Sequence, residues 1–305
     1  MEHIQEQVQK GIFNEGYQHS HFLEFRLKVG VEHFQLLTAL RSALTGHCKT
    51  VDVITAFSTP AWELLQPNWS PEETAVFQTL EGDELLVMPA TQNDLLLWLQ
   101  GDHEGDLFNS IYLITHALAD VAEIVVDVHG FKTHENRDLT GFVDGTANPK
   151  EDDRFKIACI PDCLPGAGGS YLFTQKWQHH LSSFNSLTVI EQEAVIGRTK
   201  QDDRELEGDE MPITSHVSRT DLKENGEAVK IYRRSSPFGT AKEHGLFFVG
   251  CSATIKNIHL MLESMLGLRD GDEGITDHLM KYSTPETGSY WFAPSAVDLN
   301  HLLFS

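Results

Sequence analysis

The sequence predicts an α+β fold, two degenerate ferredoxin-like modules in tandem with antiparallel sheets and flanking helices, on three observations. The first 131 residues read strand, helix, strand, strand, helix, strand by their periodicity. A unit in which an apolar strand runs through a short polar turn into a helix occurs twice, as NDLLLWLQGDHEGDLFNSIYLITHAL and HGLFFVGCSATIKNIHLMLESML. The length, 305 residues, is what two domains of roughly 150 each require.

In the first half, strands fall at 21–28, 51–57, 94–99 and 122–128. Phe34, Leu37, Leu40 and Leu44 recur at helical spacing between the first two, and Leu107, Ile111, Ile114 and Leu118 do so between the last two. The second half opens with a strand at 170–177, followed within 180–197 by a helix that begins after Ser182 and Ser183. Strands at 213–219 and 230–235 are joined through a loop holding the turn pair Asn225-Gly226. A strand at 245–253 and a helix at 255–266 follow. The boundary lies where the charged run KEDDRFK meets Pro161, Pro165, Gly166, Gly168 and Gly169. The modules are therefore 1–155 and 156–305.

Composition narrows the partners. With 45 acidic against 23 basic residues the net charge is −22, which repels a nucleic-acid backbone. Residues 50–131 contain no Lys or Arg. Up to residue 152 there are 8 bases and 24 acids, a balance of −16, and beyond it 15 and 21, a balance of −6. An anionic ligand is expected mainly on the second half. No apolar stretch nears the roughly 18 residues that span a bilayer, and MEHIQEQVQK resembles no secretory signal, so a cytoplasmic location is expected. Cys48, Cys159, Cys163 and Cys251 are too scattered for a disulfide framework, and the spacing of Cys159 and Cys163 is wrong for a zinc knuckle. The acid-rich segment 201–210 reads as a solvated loop.

Three stretches carry candidate chemistry. In RDLTGFVDGTANP, residues 137–149, Gly141 and Gly145 let the backbone turn sharply and approach a ligand, with Asp144 aimed at it. Taken alone, such an Asp reads as an Asx-turn. In ITSHVSRTD, alternation puts Thr214, His216 and Ser218 on one face of a strand, where a histidine is either a structural hydrogen-bonder or a metal ligand. In IYRRSSPFGT, Arg233 and Arg234 point to opposite faces, so at least one turns inward, and a buried Arg needs an anionic partner.

These pieces, in this order, resemble the dye-decolorising peroxidases. GFVDG matches the GxxDG signature of that family, the histidine in SHVSR and the arginine seventeen residues later match its iron ligand and distal arginine, and TPETGSYWFAPS is similar to its closing haem-pocket segment. The resemblance runs from about residue 20 to 298 and is to the compact bacterial type. It implies a haem b (iron protoporphyrin IX) peroxidase. Such an enzyme reduces hydrogen peroxide and oxidises bulky aromatic dyes or phenols through a ferryl intermediate. By the same resemblance His216 is the axial iron ligand and Asp277 in ITDHLMKY its acidic partner, although Asp270, Asp272 and Glu273 lie close by. Asp144 and Arg233 act on peroxide, with no order of importance between them, and Gly145 and Arg233 lie against the cofactor; Ser235, on the same strand face as Arg233, either holds a distal water or is an exposed strand serine. A haem protein for storage, delivery or iron removal from porphyrin is the alternative. A homo-oligomer is implied, and packaging in a nanocompartment is not expected, because the chain stops at Ser305 without an extended tail. Electrons from bulky donors would cross the protein through one of Trp62, Trp69, Trp98, Trp177 and Trp291 or the six tyrosines.

Overall fold

Alternation along the strands sends apolar side chains to both faces of a sheet. In the computed structural model, which describes residues 2–83 and 86–305, ten strands join: β1 (His19–Leu27), β2 (Asp52–Phe57), β3 (Leu95–Gly101), β4 (Ala122–Phe131), β5 (Ser170–His179), β6 (Tyr232–Arg233), β7 (Ser236–Gly239), β8 (His244–Ser252), β9 (Ser283–Pro285) and β10 (Ser289–Ala293). On β1, Leu23 and Phe25 face helices α1 (His33–Gly46) and α2 (Glu104–Leu118) and pack with Leu36, Leu40, Leu107 and Ile114. Phe22 turns to the other face and joins Trp98, Val128, Phe247 and Val249 in an interior cluster. Each such side chain contributes about 1.5–3 kcal/mol by leaving water.

Neighbouring strands run β4-β1-β3-β2 in the first half and β10-β5-β8 in the second, with β6 and β7 along the far edge of β8. In the first half the fourth strand thus lies beside the first and the third between first and second; the second half repeats this order when β6 and β7 are taken together as its second strand and the short β9 is set aside. The chain is α+β and antiparallel, as expected, but the sheets of the two halves are not separate. β2 meets β10 at Phe57 and Phe292, and β4 meets β7 at Gly130 and Phe238, so the strands close into a barrel-like ring. Gly130 makes the second seam possible, since a Cβ there would lie 2.5 Å from Ser236 Oγ.

Inside the ring sits Glu24, fully buried, accepting hydrogen bonds from Asn93 Nδ2 at 2.9 Å and Thr174 Oγ1 at 2.8 Å. Trp291 Nε1 donates to the same threonine at 2.8 Å, which ties β1, β5 and β10 together. Burial pushes the Glu24 carboxyl up to about 7.

The segment around His216 departs from expectation. Residues 213–219 are not a strand: Ser215 accepts the Ser218 N–H at 3.2 Å and caps the short helix α3 (His216–Thr220). The hairpin comes later, pairing Leu222–Glu224 with Glu227–Val229 through Asn225 and Gly226, whose φ values of 52° and 86° suit a two-residue turn. The strand expected at 230–235 shrinks to β6, and helix α4 (Ile255–Met265) follows β8 as expected. Among the described residues no helix is long and apolar enough to cross a membrane.

Candidate active site

A cavity of about 320 Å³ lies between the loop after β4, strands β5 and β8, and helices α3 and α4. Its wall is mostly apolar, with Phe142, Trp177, Phe248, Ile258, Met261 and Leu262 among the lining side chains. Of the tryptophans and tyrosines in the described residues, Trp177 alone lines it.

The structure brings four sequence candidates to this cavity: Asp144, His216, Arg233 and Ser235. Asp277 stands directly behind His216. Its Oδ2 lies 2.6 Å from His216 Nδ1, and it is fully buried. Its Oδ1 accepts the Leu279 N–H at 2.8 Å, while its own N–H donates to Met265 O at 2.8 Å and that of His278 to Thr214 O at 2.9 Å. The acid is therefore fixed. A carboxylate only accepts, so Nδ1 carries the ring proton and Nε2 is the nitrogen offered to the cavity. The neighbouring acids do other things: Asp272 pairs with Arg219 at 2.7 Å, and Asp270 and Glu273 are exposed.

Asp144 is aimed by its loop. Gly141 and Gly145 have φ of 89° and 86°, and the Asp144 N–H donates to Asn136 O at 2.9 Å. A Cβ on Gly145 would meet no protein atom closer than Asn148 Nδ2 at 3.5 Å, so within the protein it is the left-handed backbone that requires glycine. Gly145 lines a second, polar recess of about 300 Å³ beside the main cavity. Asp144, Arg233 and Ser235 border both spaces, whereas His216 borders only the first.

The two arginines do point apart. Arg233 faces the cavity, and Asn148 fixes its backbone, accepting its N–H at 2.9 Å and donating to its carbonyl at 2.7 Å. Arg234 lies over the Trp98 ring, 5.3 Å from its centroid, and donates to Ile12 O, to Asn14 O at 2.7 Å and to Gln100 Oε1 at 2.9 Å. Carbonyl oxygens thus replace the anionic partner expected for the inward arginine.

Three features in or beside the wall escaped sequence reasoning. Asn148, within the Gly-rich motif, is the brace just described. Gln175 on β5 is fully buried and lines the cavity, yet neither its Oε1 nor its Nε2 has a partner among the described residues; the Ser235 Oγ is likewise buried and unpartnered. Asp138 and His179 form a second acid–imidazole pair at 3.1 Å, with His179 Nδ1 bonded to Ser283 Oγ at 2.7 Å. Burial opposes the charge on Asp138, but hydrogen bonds from His179 and Thr140 outweigh it and hold the carboxyl below its ordinary range.

Comparison with known proteins gives a consistent result. The Dyp-type peroxidase N-terminal family model matches residues 9–132, and the Dyp-type peroxidase C-terminal model matches 135–298. The chain is similar to the dye-decolorizing peroxidase of Rhodococcus erythropolis, with 37% identity over 247 residues covering 80% of this chain and 72% of that protein. Among solved structures it resembles a dyp-type peroxidase protein from Shewanella oneidensis, with TM-score 0.89, 35% identity, and coverage of 97% of this chain and 98% of that one. It also resembles a variant of Rhodococcus jostii DypB in complex with heme, with TM-score 0.85, 30% identity, and coverage of 94% and 96%.

Proposed function

The chain belongs to the Dyp-type peroxidase family, and we propose that in this haem peroxidase, which acts on hydrogen peroxide and aromatic donors, His216 holds the iron while Asp144, Arg233 and Ser235 handle the peroxide. The cavity fits the cofactor. It offers one imidazole with a free Nε2, an apolar wall for a macrocycle, Lys230 for its propionates together with Arg198 if that side chain leaves Glu205 and Asp203, and the unpartnered polar atoms of Gln175 and Ser235 for molecules beside it.

When bound, haem supplies an iron centre that takes oxidising equivalents from peroxide and returns them to the donors. The protein supplies the rest. Asp277 accepts the Nδ1 proton of His216 in a hydrogen bond, which gives the imidazole anionic character and makes Nε2 a stronger donor. Asp144, as a carboxylate, accepts the proton from one peroxide oxygen and returns it to the other, so that the departing oxygen leaves as water. Arg233 stabilises the negative charge that develops between these transfers, because its guanidinium stays charged throughout. Ser235 Oγ, with no protein partner, can orient peroxide or the water it replaces.

The observation that carries this reading is the His216–Asp277 pair at 2.6 Å on a cavity that also displays Asp144 and Arg233. A carrier needs the first pair and has no use for the second, which favours the enzyme over haem storage, delivery or iron removal. Stopped-flow mixing of haem-loaded Asp144→Asn and Arg233→Leu with hydrogen peroxide tests it. Each should keep the Soret band and slow the first peroxide-dependent step by about 100-fold to 1,000-fold. Wild-type rates in both would refute the assignment.

The same reading takes the repeated strand order as two ferredoxin-like modules, 1–155 and 156–305, closed on each other. It places the protein in the cytoplasm, in keeping with four unbridged cysteines. Phe108, Tyr112 and Leu113, exposed along α2, support a homo-oligomer.

A further inference from the structure

On the helix-covered face of β1 the apolar series that includes Leu23 and Phe25 changes, toward the start of the strand, into His21 and His19. These two stand beyond the packed core, where α2 begins at Glu104. On the neighbouring β4, His129 pairs in register with His21, and its ring lies between the two histidines of β1, with centroids 5.5 Å from His19 and 5.7 Å from His21. His21 is already engaged, its Nε2 2.6 Å from Asp127 Oδ1. His19 is not. Its Nδ1 is buried and has no hydrogen-bond partner among the described residues, and Glu104 Oε1 stands 3.7 Å from it, outside hydrogen-bond range.

We infer that His19, His129 and Glu104 form a binding site for a divalent transition-metal ion of the zinc class, separate from the haem cavity. One ligand atom from each of the three lies within 4.8 Å of the others. Around a tetrahedral ion with bonds of about 2.0–2.1 Å, such atoms stand roughly 3.3 Å apart, so a closure of no more than about 1.5 Å completes the set. The exposed side chains of Glu104 and His129 are free to make that movement, while the buried His19 Nδ1 stays as the fixed point. Two imidazoles and a carboxylate suit zinc, or nickel or copper, better than calcium or magnesium, and water would fill the fourth position. The ion exchanges an orphaned buried nitrogen for a coordinate bond and clips β1, β4 and the first turn of α2 together. None of the three ligands lines the haem cavity.

Haem-loaded protein without an affinity tag, stripped of other metals by chelation, tests this by titration with zinc chloride and by zinc-edge X-ray absorption. The expected result is one zinc per chain, with nitrogen and oxygen ligands at about 2.0–2.1 Å, and a higher melting temperature when zinc is present. His129→Ala and Glu104→Gln should each weaken zinc binding at least about tenfold, since loss of even an indirect ligand support costs about 10–100-fold. Both should keep the Soret band and the rate of the peroxide step. Glu104→Gln, an exposed change at a helix start, keeps the test valid if His129→Ala folds poorly. No stoichiometric zinc, or zinc held equally well by both variants, would overturn the site.

Discussion

Two histidine–aspartate pairs border one cavity, and they differ in what the second ring nitrogen does. In His179 both nitrogens are used, one by Ser283 and the other by Asp138, and the ring is 7% exposed. In His216 only Nδ1 is used, and the short helix that carries it turns Nε2 to the cavity. The first ring can only hold structure together; the second can take a ligand. Residue type and an acidic neighbour do not separate them. The count of satisfied nitrogens does.

The largest test of this contrast is deletion of each ring. His216→Ala should lose most haem affinity and peroxidase activity, because among the described residues no other imidazole lining the cavity has a ring nitrogen to spare, whereas His179→Ala should fold less stably and still titrate with haem to a Soret band. Haem bound equally by the two variants would erase the distinction.

Replacing the acids gives a smaller effect of a different kind. Asp277→Asn should keep haem, reduce the basicity of the His216 ring and raise the iron reduction potential; potentiometry of Asp138→Asn should show no comparable shift. Asp138 acts on stability instead. Its folded pKa lies below the ordinary 3.8, so as pH falls the unfolded chain takes up the proton first. The stabilisation is complete above about pH 4 and drains away as pH falls through the folded value. Denaturant unfolding from pH 6 to pH 2 should therefore show a steeper loss for the wild type than for Asp138→Asn.

The smallest test lies outside the cavity, in Glu24. A carboxyl raised from 4.5 to about 7 binds its proton more tightly in the folded state, so stability falls as pH rises from about 4.5 to 7 and then levels off. Glu24→Gln should match the wild type near pH 4 and exceed it at pH 8, by an amount on the order of 3 kcal/mol if the partners are preserved. Equal stabilities at both pH values would mean that the acid is solvated.

Much of the scaffold was legible because its signals are local. The four strands and two helices of the first half carry complete periods, and the GFVDG turn carries glycines that its φ values require. The helix at His216 was not, since five residues are too few to show a helical period and ITSHVSR alternates like a strand; the Ser215 cap was the available clue. Asp144, His216 and Arg233 stood out in their own stretches and by resemblance, and Asp277 by resemblance alone; that His216 and Asp277 lie 2.6 Å apart is what the structure adds. Gln175 was invisible because its importance is the lack of a partner, which no residue type announces. The seams between the halves rest on single residue pairs with no pattern of their own.

Those seams decide how the molecule meets others like it. A sheet of this size laid open would present two long rows of unpaired amides and carbonyls, each a template for another chain. Rolled into a ring, it leaves only β6 and β9 as terminal strands among the described residues, one of two residues and the other of three. Neither is long enough to recruit a neighbour by backbone pairing. The ring therefore offers another chain little backbone at its terminal strands, and a destabilised copy becomes more adhesive once a seam has opened.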